Sequence, residues 1–305
     1  MTCLSGPGTG PEVMAEACRA LALVSRLHGF RVRETHPPFG GEAFTQSGHA
    51  LPAATRRATL AAEAILVANA EEPALAGVES ELDLAARLDR VVFAPRGRIT
   101  ILAPLEPSAV AWTLERAFAV ARSSRAHVTS VGGDALWSRV LEAEAARHDG
   151  VLVEELTVGA AVEQLAFDPD PFDVVVAPAP YAEALASVAA RGRRPRLAAS
   201  GRLARTGPGL FAPAQHAAHE LAGLGVANPA SMLLATALLL GEGLGERGAA
   251  ETLTRAVLAA CGNGARTPDM LATGVGATTR EFADVVLAEL PVAMSNAEFH
   301  QEAVA

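Results

Sequence analysis

The chain has 305 residues, half of them apolar, with a formal net charge of -9 and a sequence pI of about 5.4. Its length and apolar content predict a globular protein with a sizeable core, in one large domain or two lobes. The acidic balance argues against nucleic acid or an anionic membrane surface as the main partner.

Three cysteines, Cys3, Cys18 and Cys261, are scattered along the chain with no paired spacing. No basic segment followed by an apolar run opens the sequence, and the longest apolar run, residues 232–240, is too short to cross a bilayer. We therefore expect a reduced cytoplasmic protein without a signal segment or a membrane span.

The first third of the chain begins with a strand, a glycine-rich turn and a helix. Cys3 and Leu4 are apolar, glycines follow at positions 6, 8 and 10, and a helical pattern then runs to Val24. Tight strand-to-helix turns need glycine with or without a ligand, so this pattern alone leaves a phosphate-facing turn and a purely structural turn both open. Further predicted elements here are a strand at 30–33, a helix at 53–62, a buried strand at 64–68 and strands at 91–93 and 99–102.

Helices and strands alternate through the rest of the chain. The predicted helices are 112–122, 230–240, 249–261 and 278–290, and the predicted strands are 127–131, 151–155 and 172–176. Such alternation predicts an α/β fold with a mixed, mostly parallel sheet flanked by helices.

Residues 207–229 have the composition of a ligand-wrapping loop. Glycines and prolines bracket the apolar pair Leu210 and Phe211, and polar residues follow before Asn228 and Pro229. Asn followed by Pro is a helix-start signal, because the Asn side chain can cap the helix and Pro fits its first turn. A glycine-rich loop with a few polar groups is typical of a binding segment.

This segment resembles the adenosine-binding loop of the β-decarboxylating dehydrogenases, the isopropylmalate and isocitrate dehydrogenase family, where the pattern reads G-P-G-L-F-E-P-x-H-G-S-A-P-D-I-A-G-x-G-x-A-N-P. The resemblance extends to the start of the chain, where the family has G-D-G-I-G-P-E and this sequence keeps the glycines, the proline and the glutamate but has Pro7 in place of the aspartate. It extends also to Arg266-Thr-Pro-Asp-Met270, similar to the family's R-T-P-D-I.

The resemblance implies a two-lobed isopropylmalate-dehydrogenase-like fold. Residues 1–97 with 199–305 are expected to form the nucleotide-side lobe, and residues 98–198 the second lobe, through which a homodimer would pair. No cofactor is certain from the sequence, but NAD(P) or another adenine nucleotide is possible. The cofactor-binding positions that the resemblance implies are Gly8, Thr9, Gly10, Gln215, Glu220 and Asn228.

The family's catalytic groups have poor counterparts here. The family lysine in V-T-S-V-D-K falls at Gly133, the aspartate before it at Gly132, and the sequence contains no lysine. The family's three metal aspartates fall at Gly159, Glu183 and Ser187, and the catalytic tyrosine falls in a segment that this chain lacks. We therefore predict no metal site, including at His216 and His219, which are expected to be polar surface.

Arginines remain as candidate ligands for a small anionic substrate. The residues proposed to bind it are Arg87, Arg96, Arg98, Arg196, Arg202 and Arg205. A local basic cluster in an acidic chain can attract a carboxylate or phosphate, although the stretch from 191 to 205 also fits a solvated loop. No catalytic residue is identified; the candidates are His36, Glu183 and Tyr181.

These observations predict a member of the fold that has been repurposed for metal-independent, non-oxidative chemistry of the decarboxylase, lyase or isomerase type. Its substrate would be a small carboxylated or phosphorylated molecule. Two alternatives are a catalytically silent or regulatory subunit and, against the weight of the missing groups, the family's NAD-dependent oxidative decarboxylation.

Overall fold

The computed structural model describes residues 1–69, 73–93, 97–191, 196–214, 217–271 and 274–302. The chain forms two compact units. Unit 1 comprises residues 1–83 with 206–305, and unit 2 comprises residues 84–205.

Unit 1 contains three parallel strands among its described residues. They are β1 (Thr2–Leu4), β2 (Ala64–Val67) and β9 (Gly209–Pro213), in the order β1-β2-β9. The start of the segment predicted as a loop is therefore a strand. Leu210 and Phe211 explain the difference, because both are buried and lie opposite Ile65 and Leu66 of β2.

The helices of unit 1 surround these strands. They are α1 (Gly10–Leu27), α2 (Gly41–Ser47), α3 (Ala53–Leu60), α4 (Leu75–Glu79), α9 (Ala230–Leu238), α10 (Arg247–Gly262) and α11 (Thr279–Glu302). Helix α9 is apolar almost all round and is buried on nearly every side, as expected for a central helix. A π-helical turn, Leu239–Gly243, follows it, and α10 packs against both α9 and α11.

The strand predicted at residues 30–33 does not form. The chain instead makes one parallel bridge slightly later, between Thr35 and Thr2 of β1. Exposed arginines at 31 and 33 leave this segment with little apolar surface to bury, so its pairing with β1 is confined to one position.

Unit 2 is built on a mixed sheet. Its strands are β3 (Leu84–Phe93), β4 (Gly97–Pro104), β5 (His127–Val131), β6 (Leu152–Leu156), β7 (Val174–Val176) and β8 (Arg196–Ala204), in the order β8-β3-β4-β7-β5-β6. Strand β3 runs antiparallel to β4 and β8, while β4, β7, β5 and β6 pair in parallel. The helices are α5 (Val110–Arg122), α6 (Ala135–Ala145), α7 (Val158–Phe167) and α8 (Ala179–Ala189).

The α/β class with a mixed sheet flanked by helices is confirmed. The division of the chain differs in detail, because cuts at 97/98 and 198/199 would fall at the start of β4 and inside β8. Both strands are hydrogen-bonded to β3, so the compact units separate at 83/84 and 205/206 instead. Among the described residues, no helix combines the length and the apolar character that a bilayer crossing requires.

Candidate nucleotide and substrate sites

A cavity of about 730 Å³ lies in unit 1, beside the glycine-rich turn that precedes α1. Three of the predicted cofactor-binding residues, Thr9, Glu220 and Asn228, line this cavity together. Its volume is in the range of ligand-binding clefts, about 300–1,000 Å³. The turn, the end of β2 and the segment 217–228 thus form a single concave surface.

Gly8 and Thr9 hold the turn against the segment at Ala217. A Cβ atom at Gly8 would lie 2.3 Å from the carbonyl oxygen of Ala217, and Gly8 has φ +70°, so this position requires glycine. The backbone N–H and the hydroxyl of Thr9 both donate to that same oxygen, at 2.9 and 3.0 Å. Both donors of Thr9 shape the cavity, and both are engaged in hydrogen bonds within the protein.

Gly10 has an equally local reason to be glycine. A Cβ atom there would lie 2.0 Å from the carbonyl oxygen of Ser5. The backbone of the first turn of α1 therefore packs directly on the loop after β1, which brings the start of the helix to the cavity side of the unit.

A hydrogen bond of Glu12 also connects α1 to the segment that follows Ala217. Its Oε1 accepts a hydrogen bond from the backbone N–H of Gly223 at 2.5 Å. Together with the Thr9 contacts, this bond fixes both ends of the stretch 217–223, which carries Glu220. Glu220 itself is exposed on the 3-10 turn His219–Leu221, so its carboxylate is available at the rim of the cavity.

Asn228 binds the start of α9 from the position before the N-cap residue, which is Pro229. Its Oδ1 accepts a hydrogen bond at 2.9 Å from the backbone N–H of Ala230, the first residue of α9. Its Nδ2 donates to Oδ2 of Asp269 at 3.0 Å, and the Thr267 hydroxyl donates to Oδ1 of Asp269 at 2.5 Å. The side chain of Asn228 is therefore fixed at the wall of the cavity.

Three polar residues of the cavity, Asn69, His219 and Asp269, were not among the predicted cofactor-binding positions, and His219 was expected to be polar surface only. Asn69 is 3% exposed and follows β2 closely, and Asp269 belongs to the Arg-Thr-Pro-Asp motif. Asn69 could have been predicted from the sequence, because it directly follows the strand predicted at 64–68 and ligands of parallel sheets bind at the carboxyl ends of strands. Gln215, His216 and Arg96 lie outside the described residues.

In unit 2, two of the predicted anion-binding arginines lie opposite each other on neighbouring strands. Arg87 of β3 and Arg202 of β8 occupy directly opposite positions. Arg87 forms a bidentate pair with Asp89, with Nε to Oδ2 at 2.7 Å and Nη2 to Oδ1 at 3.2 Å, and its Nη1 lies 3.7 Å from Oε1 of Glu183. Two basic and two acidic side chains thus lie on β3, β8 and α8.

Burial sets the electrostatics of this group. It raises the pKa of the Asp89 carboxyl, an effect that the Arg87 cation opposes, and it lowers the pKa of the Arg202 guanidinium. Burial acts in these directions because it disfavours the charged form of an acid and of a base alike.

The other described arginines of the predicted set have partners within unit 2. Arg98 donates to the Ser124 hydroxyl at 3.2 Å. Arg196 donates to the carbonyl oxygens of Ala189 and Leu165 and lies over the ring of Phe93. Arg205 donates to Glu106 at 2.8 Å and to Ser108 at 3.3 Å. Their proposed role in anion binding stays a prediction.

The three catalytic candidates are placed on different elements. Glu183 and Tyr181 lie on α8 in unit 2, two residues apart and therefore on different faces of the helix. The Tyr181 ring lies against Gly132, where an added Cβ would be 3.0 Å from Cδ2 of the ring. His36 lies in unit 1, and its Nε2 is 3.1 Å from Oε2 of Glu34.

The positions that the resemblance assigns to a divalent metal do not fit one. Gly159 lies in α7 and offers no side-chain donor, and Ser187 offers only a hydroxyl. Glu183 supplies the sole carboxylate among the three positions, and it is paired with Arg87. Mg²⁺ and Mn²⁺ sites in proteins depend on carboxylate oxygens, so this donor set is too poor to hold either ion.

Comparison with known proteins gives a consistent family. The chain matches the family model described as isocitrate/isopropylmalate dehydrogenase over residues 1–94 and 100–286. The 3-isopropylmalate dehydrogenase of Synechococcus sp. (strain CC9605) is 30% identical, over 89% of this chain and 93% of that protein. The 3-isopropylmalate dehydrogenase of Bacillus anthracis is 29% identical, over 95% of this chain and 96% of that protein.

Solved structures agree on the fold. The apo β-decarboxylating dehydrogenase from Thermococcus kodakarensis has a TM-score of 0.82 at 22% identity, covering 97% of each chain. The isocitrate dehydrogenase from Methylococcus capsulatus has a TM-score of 0.77 at 21% identity, covering 95% of this chain and 98% of its own.

The predicted change to metal-independent, non-oxidative chemistry is wrong in the light of these relatives. Proteins about 30% identical over most of the chain are named dehydrogenases, and they favour that activity over a repurposed or silent fold. The prediction inferred too much from individual catalytic positions and too little from the similarity along the whole chain. The chain belongs to the isocitrate/isopropylmalate dehydrogenase family.

Proposed function

We propose that this protein is an NAD(P)-dependent dehydrogenase of a malate-type 2-hydroxy acid, as the names of its 3-isopropylmalate dehydrogenase relatives suggest. The observation that carries the proposal is the cavity in unit 1, which combines Thr9, Glu220 and Asn228 with Asn69 and Asp269. A small number of fixed polar groups in a largely apolar cleft is the composition of a cofactor site.

The cavity suits the adenosine half of the cofactor. Glu220 is an exposed carboxylate at the rim, the kind of group that accepts hydrogen bonds from ribose hydroxyls. Asn228 is held by Asp269 and by the start of α9, so its position is set before a ligand arrives. A site that is ordered in advance spends less binding free energy on ordering side chains. A bound NAD(P)⁺ supplies the hydride acceptor.

The acid substrate is assigned to Arg87 and Arg202 of unit 2. A carboxylate placed between these opposite guanidinium groups would stabilise the charged form of Arg202, which burial disfavours. Arg87 is held by Asp89 and Glu183, which fixes the position of its guanidinium group opposite Arg202.

Proton transfer has to use a group other than lysine, because the sequence contains none. We assign the proton acceptor to Glu183. Its side chain is 73% exposed, and its Oε1 lies 3.7 Å from Nη1 of Arg87, one of the two arginines assigned to the substrate. A homodimer, the remaining arginine ligands and a cytoplasmic location stay predictions; analytical ultracentrifugation of the full chain tests the first of them.

The decisive experiment titrates the full chain with NAD⁺ and NADP⁺ by calorimetry and then measures reduced nicotinamide with a panel of malate-type acids. Glu220→Gln should weaken dinucleotide binding by about tenfold, the worth of one charge-assisted hydrogen bond. Glu42→Gln, at an exposed position of α2 outside the cavity, is the matched control and should leave the affinity unchanged. Absence of both dinucleotide binding and acid oxidation would overturn the proposal.

A second pair of variants separates binding from chemistry. Glu183→Gln should reduce kcat by about 10² to 10⁴ while dinucleotide affinity is kept, as expected for loss of an acid-base group. Glu163→Gln, on the neighbouring helix α7, should behave as wild type. Equal turnover in the two variants would remove Glu183 from the mechanism.

A further inference from the structure

Four side chains with metal-binding atoms converge in unit 1, away from the residues assigned to the cofactor and the substrate. They are Cys3, Cys18, Glu34 and His36, and one donor atom from each lies within 4.8 Å of the others. Tetrahedral zinc with sulfur ligands at about 2.3 Å and nitrogen or oxygen ligands near 2.0–2.2 Å places its donor atoms about 3.3–3.8 Å apart. The four groups are therefore near the spacing that an ion needs, and small side-chain rotations would close it.

The backbone explains why three of these residues share one face. Thr35 bridges to Thr2 in parallel, with the N–H of Cys3 donating to the carbonyl oxygen of Thr35 at 2.9 Å. Side chains alternate along an extended chain, so Cys3 points away from the face of Thr2. Glu34 and His36, on either side of Thr35, point to the face that Cys3 occupies.

Helix α1 supplies the fourth ligand. Cys18 lies in the middle of α1, and its Sγ lies within 4.8 Å of the Sγ of Cys3. Two cysteines that are far apart in the sequence are thus brought together by the packing of a helix on a strand. The third cysteine, Cys261, lies in α10 and takes no part.

Burial decreases from one side of the cluster to the other. Cys3 is 1% exposed, the Glu34 side chain is 24% exposed and the His36 side chain is 49% exposed. The sulfur side is closed by the core and the imidazole side opens to solvent, which gives an ion a way in. The Nε2 atom of His36 already lies 3.1 Å from Glu34, so both groups are directed into the cluster.

The cluster concentrates potential negative charge around one point. As anions, the two thiolates and the Glu34 carboxylate would repel one another, because their donor atoms lie within 4.8 Å. A divalent cation removes the repulsion, because it is attracted by both thiolates and by the carboxylate.

We propose that Cys3, Cys18, Glu34 and His36 form a structural binding site for a divalent metal ion of the Zn²⁺ class. Two thiolates and an imidazole favour zinc over Mg²⁺ or Ca²⁺, which prefer all-oxygen ligands. All four tetrahedral positions are filled by protein, so the ion would fasten α1, β1 and the segment around Thr35 together. The site shares no residue with the proposed cofactor and substrate sites.

The test uses the full chain, purified under reducing conditions and stripped with a chelator. Titration with Zn²⁺ against a chromophoric chelator should give one ion per chain and a higher Tm in the bound form. Co²⁺ should produce the absorption of a tetrahedral ion with thiolate-to-metal charge transfer. Mg²⁺ at the same concentration should produce neither change.

Variants identify the ligands. Cys18→Ser and His36→Gln should each weaken Zn²⁺ binding by at least about tenfold, since each removes one of four ligands. Glu34→Gln provides a third variant at a partly exposed position where folding is less at risk. Cys261→Ser and His49→Gln are the matched controls and should bind Zn²⁺ as wild type does.

Several results would overturn the site. These are no Zn²⁺ uptake by the reduced chain, equal affinity in all five variants, or an octahedral Co²⁺ spectrum without a thiolate band. A Cys3–Cys18 disulfide in protein taken directly from reducing cells would do so as well, because it would consume two ligands.

Discussion

Trp137 occupies the space in which a side chain at Gly133 would begin. A Cβ atom built at Gly133 would lie 2.6 Å from Cγ and Cδ1 of the indole, and Gly133 has φ +111°. The tryptophan is fixed there: it is 4% exposed, and its Nε1 donates to the Ser130 hydroxyl at 3.0 Å. Asp134 accepts from the Trp137 backbone N–H at 2.9 Å and caps α6. The absence of a lysine after β5 is thus built into the packing of the turn.

Restoring a lysine at this position should therefore destabilise the protein. Gly133→Lys and Gly133→Ala should each lower the free energy of unfolding by about 2–4 kcal/mol, from backbone strain and displacement of a packed aromatic ring. Urea unfolding followed by tryptophan fluorescence measures it. Similar losses in the two variants would locate the cost at Cβ, whereas a neutral Gly133→Ala would contradict both the backbone strain and the clash with Trp137.

Gly159 stands at the position of a family metal aspartate and, unlike Gly133, has room for a side chain. It lies in the first turn of α7, and a Cβ atom there would meet no atom within 4 Å. Gly159→Ala should raise the free energy of unfolding by about 0.5–1 kcal/mol through helix propensity. A decrease measured in the same urea experiment would contradict the placement of Gly159 in an open helical turn.

The approach of Gly8 to Ala217 gives a prediction for the nucleotide cavity. Gly8→Ala should reduce stability by about 2–3 kcal/mol and weaken NAD⁺ binding, because the segment after Ala217 must shift. Gly48→Ala is the matched control: Gly48 has φ +72° but no atom within 4 Å of an added Cβ. It should show the backbone cost of about 1 kcal/mol and unchanged NAD⁺ affinity.

Asp269 should matter to the cofactor through Asn228. In Asp269→Asn one of the two donors, Asn228 Nδ2 or the Thr267 hydroxyl, would face an amide NH₂. We expect about a three- to tenfold rise in the Kd for NAD⁺, as one net hydrogen bond is lost, with little change in Tm because Asp269 is exposed. Calorimetry should find Asp149→Asn, an exposed change in unit 2, equal to wild type.

The sequence predicted elements well where apolar residues form runs. Strand β5 was predicted at its observed bounds, and α9 and α10 agree with their predicted bounds within two residues, whereas α11 runs to Glu302 instead of ending at 290. Strand β8 was taken for a basic loop because alternate positions hold arginine and small residues. Its buried positions, Leu197, Ala199, Gly201 and Leu203, carry too little apolar surface to signal a strand, and only pairing with β3 reveals it.

The candidate sites also differ in how far they could be predicted from the sequence. The family resemblance implied Thr9, Glu220 and Asn228 as cofactor-binding residues, because each lies in a short continuous motif, and all three line one cavity. The cluster of Cys3, Cys18, Glu34 and His36 could not, because a strand, a helix and a one-residue bridge must first assemble. Long-range packing, which no local pattern encodes, decides which polar groups meet.

The burial of Asp89 leads to a prediction for how the stability of the protein depends on pH. Its pKa is raised by burial above the ordinary value of 3.8, with Arg87 acting in the opposite direction. The folded state then holds the proton more tightly than the unfolded state, so the contribution to stability is complete below pH 3.8 and is lost as the pH rises through the folded pKa.

Asp89→Asn removes this dependence. As the pH rises from about 3.5 towards neutrality, wild type should lose unfolding free energy relative to the variant, because only wild type must ionise a buried group. Urea unfolding at a series of pH values, followed by tryptophan fluorescence, measures the difference, and Asp149→Asn should track wild type. Relative gain by wild type over the same interval would mean that Arg87 outweighs burial and that the carboxylate is stabilised by folding.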